Sequence, residues 1–134
     1  MPGPIRMPPL SELPNGPRRE FVEEMFFYFR TAGRPTLREI DDAIRKYDLV
    51  GTASRETIRR VLQGTSVPSR WTTVEAILYG LCDLAGFKVH SDRWPDEMDS
   101  ASCYDYVKRL WNDALDSDPN PPKIVDPWDQ EPPF

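Results

Sequence analysis

Arg55, Glu56, Arg59 and Arg60 crowd into the short run between Ser54 and Gly64. Ile58, Val61 and Leu62 interleave with them at helical spacing. A helix over 54–63 therefore puts a narrow apolar keel on one side and the charged residues with Gln63 on the others. Ser54 is the residue type that caps a helix start, and Gly64 the type that ends one. A guanidinium presents a planar fork of N–H donors that matches the two acceptors of a guanine edge or the oxygens of a phosphate. A short helix of this kind fits a DNA major groove, which is about 12 Å wide. The plain alternative is a bundle helix with a solvated charged face, and Glu56 offsets part of the positive charge.

Such side chains need a scaffold. The chain has 134 residues and a formal net charge of −5, enough for one domain of about 100 residues with a single modest core. The acid is unevenly spread. Residues 17–70 carry eleven Lys/Arg against eight Asp/Glu, whereas residues 71–134 carry five against thirteen. The basic excess surrounds 54–63, so the negative total does not oppose a polyanionic partner there. Six of the fifteen prolines lie at or before Pro17 and six at or after Pro119. Residues 1–16 and 118–134 therefore read as disordered, Pro-rich tails, the second of them acidic, around a folded domain at 17–117. No apolar run approaches the roughly 18 residues of a membrane span, and none reads as a signal-peptide core. Cys82 and Cys103 read as buried thiols in a reducing compartment, and the expected location is cytoplasmic.

Between the tails only helical periodicity is visible, so the fold class is all-α with about five helices. The first, 18–31, carries Phe21, Val22, Met25, Phe26 and Phe29 and stops at Ala32 and Gly33. The second, 36–47, opens on a Thr36/Glu39 capping box and buries Leu37, Ile40, Ala43 and Ile44. The third is 54–63. A fourth, capped by Thr72 or Thr73, carries Val74, Ile77, Leu78, Leu81 and Leu84 and ends at Ala85 and Gly86. A fifth, from Ser100 or Ala101 to Leu115, carries Tyr104, Val107, Leu110, Trp111 and Leu115 as its apolar face. Trp71, Trp94 and Trp111 read as core or near-core residues.

The order of second helix, connection and third helix is that of a helix-turn-helix, whose second member enters the groove. The run from Ala32 to Ile40, then Ser54 to Ile58, then Val61 to Gly64, resembles the lambda-repressor-type (Xre-like) helix-turn-helix family. Val67 and Pro68 before Trp71, with Leu110, Trp111 and Ala114 downstream, resemble its actinobacterial version. The resemblance spans residues 17–116 and implies a transcriptional regulator that binds double-stranded DNA sequence-specifically. On it, Ser54 would cap the recognition helix and donate to a phosphate, and Arg55, Glu56 and Arg60 would face base edges. Thr57, Arg59 and Gln63, with Thr65, Ser66 and Arg70 after the helix, would lie nearer the sugar–phosphate backbone. Many such regulators form a homodimer that reads a palindrome, with Tyr104, Tyr106 and Trp111 as the candidate surface here. The same residues are also needed to close the core of so small a domain, and the oligomeric state stays open. The chain departs from the family in the long connection 47–53. There Leu49 and Val50 are expected to pack back onto the core and keep the two helices rigid.

The last residues, Val125 to Phe134, resemble the C-terminal tip of bacterial single-stranded-DNA-binding proteins. Such a tip implies a protein partner. Phe134 would fill an apolar pocket, Asp129 and Glu131 would meet its basic rim, and Trp128 would give a second contact. A solubilising acidic tail is the alternative. The competing function is therefore a protein-interaction module, such as a phage-defence or genome-maintenance adaptor. Other chemistry is thin. His90 is the only histidine, and no ligand spacing supports a metal site. Asp92, Asp96, Glu97 and Asp99 lack the pattern of a calcium loop. No glycine-rich phosphate loop and no nucleophile with a base is visible, so neither an enzyme nor a cofactor is expected.

Overall fold

The computed structural model describes residues 4–117. It contains five helices: α1 (Pro17–Thr31), α2 (Leu37–Ile44), α3 (Arg55–Leu62), α4 (Trp71–Ala85) and α5 (Cys103–Asp116). Among the described residues there is no strand, only an isolated antiparallel bridge between Asp92 and Ser102. The all-α class and the five segments follow the periodicity of the chain.

Local chemistry sets most boundaries. Pro17 opens α1, where its missing N–H costs nothing. Thr36 and Glu39 form the expected capping box at α2, and Ser54 and Ser102 each accept a backbone N–H at the start of α3 and α5. The fourth helix starts earlier than expected. It begins at Trp71 after an Arg70 N-cap with no side-chain hydrogen bond, so Thr72 and Thr73 lie inside it. Gly64 has φ 72°, a left-handed conformation that lets the Thr65 N–H reach back to the Arg60 carbonyl and close α3.

The core sits between α1 and its neighbours: α1 packs on α5, α4 and α3, and α2 packs on α4 and α3. Phe21, Met25, Phe26, Ile40, Ile58, Leu62, Ile77 and Leu81 are all wholly buried. Cys82 and Cys103 are free, buried thiols, and burial pushes the Cys82 thiol up to about 12. Trp111 is buried and donates its indole N–H to the Pro68 carbonyl at 2.7 Å, and half-buried Trp71 donates to the Tyr104 hydroxyl at 2.8 Å. Those bonds pin the loop after α3 and the start of α4 to α5. Among the described residues no helix is long and apolar enough to cross a membrane.

Residues 4–16 differ from the expected tail. They hold no helix, but Pro8 and Leu13 are buried, and Leu13 belongs to the core. The Arg19 guanidinium donates to the carbonyls of Pro8 and Leu13 at 3.1 and 2.6 Å. The segment is not extended throughout, because the Glu12 and Leu13 N–H groups both donate to the Pro9 carbonyl and close a turn over 10–12. Satisfied carbonyls and two apolar anchors then dock it on the bundle.

Candidate nucleic-acid interface

The keel of α3 is formed as expected: Ile58, Val61 and Leu62 are wholly buried against the core. Because successive residues turn by about 100° around a helix, the direction opposite that keel belongs to Glu56. Gln63 and Arg60 lie to either side of it, then Arg59. Arg55 and Thr57 fall on the two flanks.

The charges on this face are locally paired. Glu56 takes Arg60 at 3.2 Å, one turn on, and Arg59 at 3.8 Å. Arg55 leans instead toward α2, where Asp41 is 3.5 Å from its Nε and 3.3 Å from Arg45. Of the residues expected at base edges, Glu56 and Arg60 therefore stand together on the outward face, while Arg55 points to its flank. Ser54 accepts the Thr57 N–H at 3.1 Å, and its hydroxyl lies 2.9 Å from the Thr57 hydroxyl. Ser54 is thus the helix cap it was expected to be. The Glu56 pair with Arg60 lies at the surface and is weak, generally under about 1 kcal/mol. Arg60 can therefore exchange its carboxylate for another anion, whereas Asp41 is buried and must keep a cation.

The connection before α3 is anchored at several points but only partly buried. Lys46 and Tyr47 both donate to the Asp83 carboxylate, at 2.9 and 2.7 Å. Their hydrogen bonds hold that carboxyl below its usual range. Leu49 packs partly against the core, and Ala53 is buried. A Cβ on Gly51 would collide with the Thr72 backbone, so only glycine allows the connection to lie against the first turn of α4. Val50 does not pack back as expected: it is 95% exposed. Its neighbours take up the anchoring on both sides, which leaves this side chain pointing outward.

Arg70, Thr65 and Ser66 are exposed on the loop between α3 and α4. Through the Gly51–Thr72 approach, the Arg70 end of this loop lies beside the 45–54 connection. Gln63 and Thr65 meet the docked N-terminal segment, forming an open cleft of about 380 Å³ with Pro4, Arg6, Met7, Pro8, Pro9 and Glu12. Arg6 is exposed there. Proline composition hid this residue, because a docked segment and a free one share it.

A second feature escaped the sequence. Glu24 is 7% exposed, and it accepts the Arg93 Nε at 2.6 Å and Nη2 at 3.3 Å, and the Tyr28 hydroxyl at 2.9 Å. The Arg93 guanidinium lies over the Phe27 ring at 3.9 Å and near the Trp94 ring at 4.9 Å. Burial drives the Tyr28 hydroxyl far above its ordinary range, aided by the Glu24 charge. For Arg93, burial pulls downward, and the Glu24 hydrogen bonds and charge more than reverse it. An open cleft of about 360 Å³ lies beside this corner, lined by Phe27, Phe87, Arg93 and Cys103 among others.

The residues considered for a dimer surface are engaged within the chain. Besides the Trp111 bond, Tyr104 donates to Glu75 at 2.8 Å, and Tyr106 sets its edge against Trp94 at 4.7 Å between centroids. His90 stacks near Tyr104 and lies 3.3 Å from the Tyr79 hydroxyl. Trp128, Asp129, Glu131 and Phe134 lie outside the described residues. No family model, no curated protein and no solved structure matches the chain.

Proposed function

We propose that this chain is a sequence-specific DNA-binding protein, a transcriptional regulator of the lambda-repressor-like helix-turn-helix kind, with α3 as the helix that reads the major groove. The supporting observation is the build of α3: an eight-residue helix, seated on α1 and α2 by a wholly buried keel, with Glu56 and Arg60 exposed on the far side and Arg59 and Gln63 half-buried at its edges. Arg60 forks onto a guanine edge. Arg59, Arg70 and the exposed hydroxyls of Thr65 and Ser66 hold the sugar–phosphate backbone. Arg55, on the flank, turns to a phosphate when duplex arrives, while Arg45 stays on the buried Asp41. No chemistry beyond binding is required of the protein.

The test is fluorescence anisotropy of the full chain on duplexes selected from a random-sequence library, at rising salt. Binding through several phosphates weakens steeply, with a slope on logarithmic axes of about −0.9 per phosphate contacted. Arg55→Ala/Arg60→Ala loses selective binding. The competing reading is a protein-interaction module acting through the bundle or the Pro-Pro-Phe tail. Failure to select any duplex, or binding indifferent to both salt and the double substitution, favours it. The stoichiometry of the same titration shows whether two copies occupy one site.

A further inference from the structure

Residues 4–16 are seated on the end of the helix proposed to enter the groove. A Cβ on Gly64 would come within 2.9 Å of Leu13 and 3.2 Å of Pro8, so the segment lies directly on the turn that closes α3. Ile5 and Met7 rest partly buried against the core, and Arg6 between them is exposed. Its two neighbours fix the path of the backbone and leave the guanidinium on the solvent side. That side chain lines one cleft with Gln63 and Thr65, two residues of the proposed DNA face.

Arg6 also differs from the arginines of α3. Arg55, Arg59 and Arg60 each have a carboxylate close by, at 3.5, 3.8 and 3.2 Å. Among the described residues no carboxylate pairs with Arg6. The arginines of α3 must leave an acid before they meet a phosphate, and Arg6 need not. Glu12 lines the same cleft without forming an ion pair there, so it lowers the local potential but does not hold the guanidinium. An arginine side chain is also the longer of the two and reaches an incoming polyanion first.

We infer that Arg6 is a phosphate-binding residue, carried by the docked segment to the C-terminal end of α3, where it and the Thr65 hydroxyl hold one phosphate of the duplex. The inference rests on the DNA-binding reading above. A hydroxyl alone makes a neutral hydrogen bond to a phosphate, and the guanidinium adds a charge-assisted one of about twice the strength. Phosphate contacts position a protein on the duplex without reading its sequence. Arg6 therefore sets affinity and register, and Arg60 sets specificity.

The test is fluorescence anisotropy of the full chain on a duplex it selects from a random library and on an unrelated duplex, over a salt series. Arg6→Ala is expected to weaken binding by the same factor on both, with an unchanged thermal midpoint. Its salt slope should fall by the worth of one phosphate, about 0.9 on logarithmic axes. The defect should thus shrink about 3.5-fold over a roughly fourfold rise in salt. Arg6→Lys keeps the charge and should restore the slope, and Glu12→Gln should raise affinity at low salt. An Arg6→Ala variant with wild-type affinity and slope, on a duplex whose binding still depends on Arg55 and Arg60, overturns the role of Arg6 alone. A loss confined to one base pair of the selected duplex overturns the phosphate contact. Wild type selecting no duplex overturns the DNA-binding reading itself, and the role of Arg6 with it.

Discussion

Arg93 and Arg60 make the same kind of contact, a guanidinium on a carboxylate, with different consequences. Arg93 is held on the buried Glu24 between two aromatic rings, and its partner lies 69 residues away in the chain. Arg60 meets Glu56 one turn back on its own helix, and both side chains are more than half exposed. In the first place the protein has replaced water around the charges, so the pair cannot part without leaving a charge stranded. In the second, water and salt compete with the carboxylate at every moment. The first contact fixes the fold, and the second leaves a cation available for a partner.

The largest test of this contrast is to strip one side of each pair. Arg93→Met leaves Glu24 buried without its counter-ion and is expected to lower unfolding free energy by about 3–5 kcal/mol. Urea titration followed by circular dichroism reads this directly. Adding Glu24→Gln should recover much of the loss, because the stranded charge disappears. A single variant costing less than ~1 kcal/mol would mean that water reaches Glu24 freely, and the contrast with α3 would fail.

Arg60→Ala is expected to behave in the reverse way. Its effect on stability should stay within ~0.5 kcal/mol, since an exposed pair one turn apart adds little. Its effect on duplex discrimination should be about 1–3 kcal/mol, the worth of a bidentate arginine–guanine contact. Equal loss of binding on all sequences would move Arg60 from the base edge to a phosphate.

The two regions also differ in how far the sequence disclosed them. The Glu56/Arg60 spacing is a short-range fact, and so are the caps at Thr36 and Ser54, the stop at Gly64 and the keel of Ile58, Val61 and Leu62. Each depends on residues within a turn or two of one another, which is why the helices and the candidate face could be read in advance. Glu24 and Tyr28 are polar positions on α1 that look solvated until Arg93 arrives from the connection between α4 and α5. Nothing at helical spacing announces that pairing. Docking of residues 4–16 is hidden for the same reason, as Arg19 caps carbonyls of Pro8 and Leu13 in a stretch whose composition reports only that it holds no helix. The outward turn of Val50 depends on Gly51 meeting Thr72, again a contact across the fold.

Glu56→Gln sharpens the comparison from the acid side, with a smaller effect. Removing the charge frees Arg60 and Arg59 and takes a negative group off the centre of the outward face. Duplex affinity should rise severalfold at low salt. Stability should fall by about 0.3–1 kcal/mol, because an acid in the first turn of a helix is favoured by the helix dipole. Opposite signs in the two measurements mark a side chain that serves the helix at the expense of binding. A fall in both would make Glu56 a direct reader of a base, accepting from a cytosine amino group.

The smallest expected effect concerns the anchor of the 45–54 connection. Hydrogen bonds from Lys46 and then Tyr47 hold the Asp83 carboxyl below its usual range. A folded-state value below the unfolded one means that ionised Asp83 stabilises the fold above the unfolded aspartate value of about 3.9. This contribution disappears as the pH falls through the lower, folded value. Asp83→Asn is therefore expected to lower the urea midpoint modestly at pH 7, by no more than the ~1 kcal/mol of a surface pair, because Lys46 is largely exposed. The curves of variant and wild type should begin to approach one another below about pH 4 and merge only under the lowered folded-state value, where the carboxylate is protonated in both states. Curves that diverge further in acid would show that Asp83 is held protonated rather than ionised. The connection would then owe its anchoring to Gly51, Leu49 and Ala53 alone, and α3 would be presented by packing without help from charge.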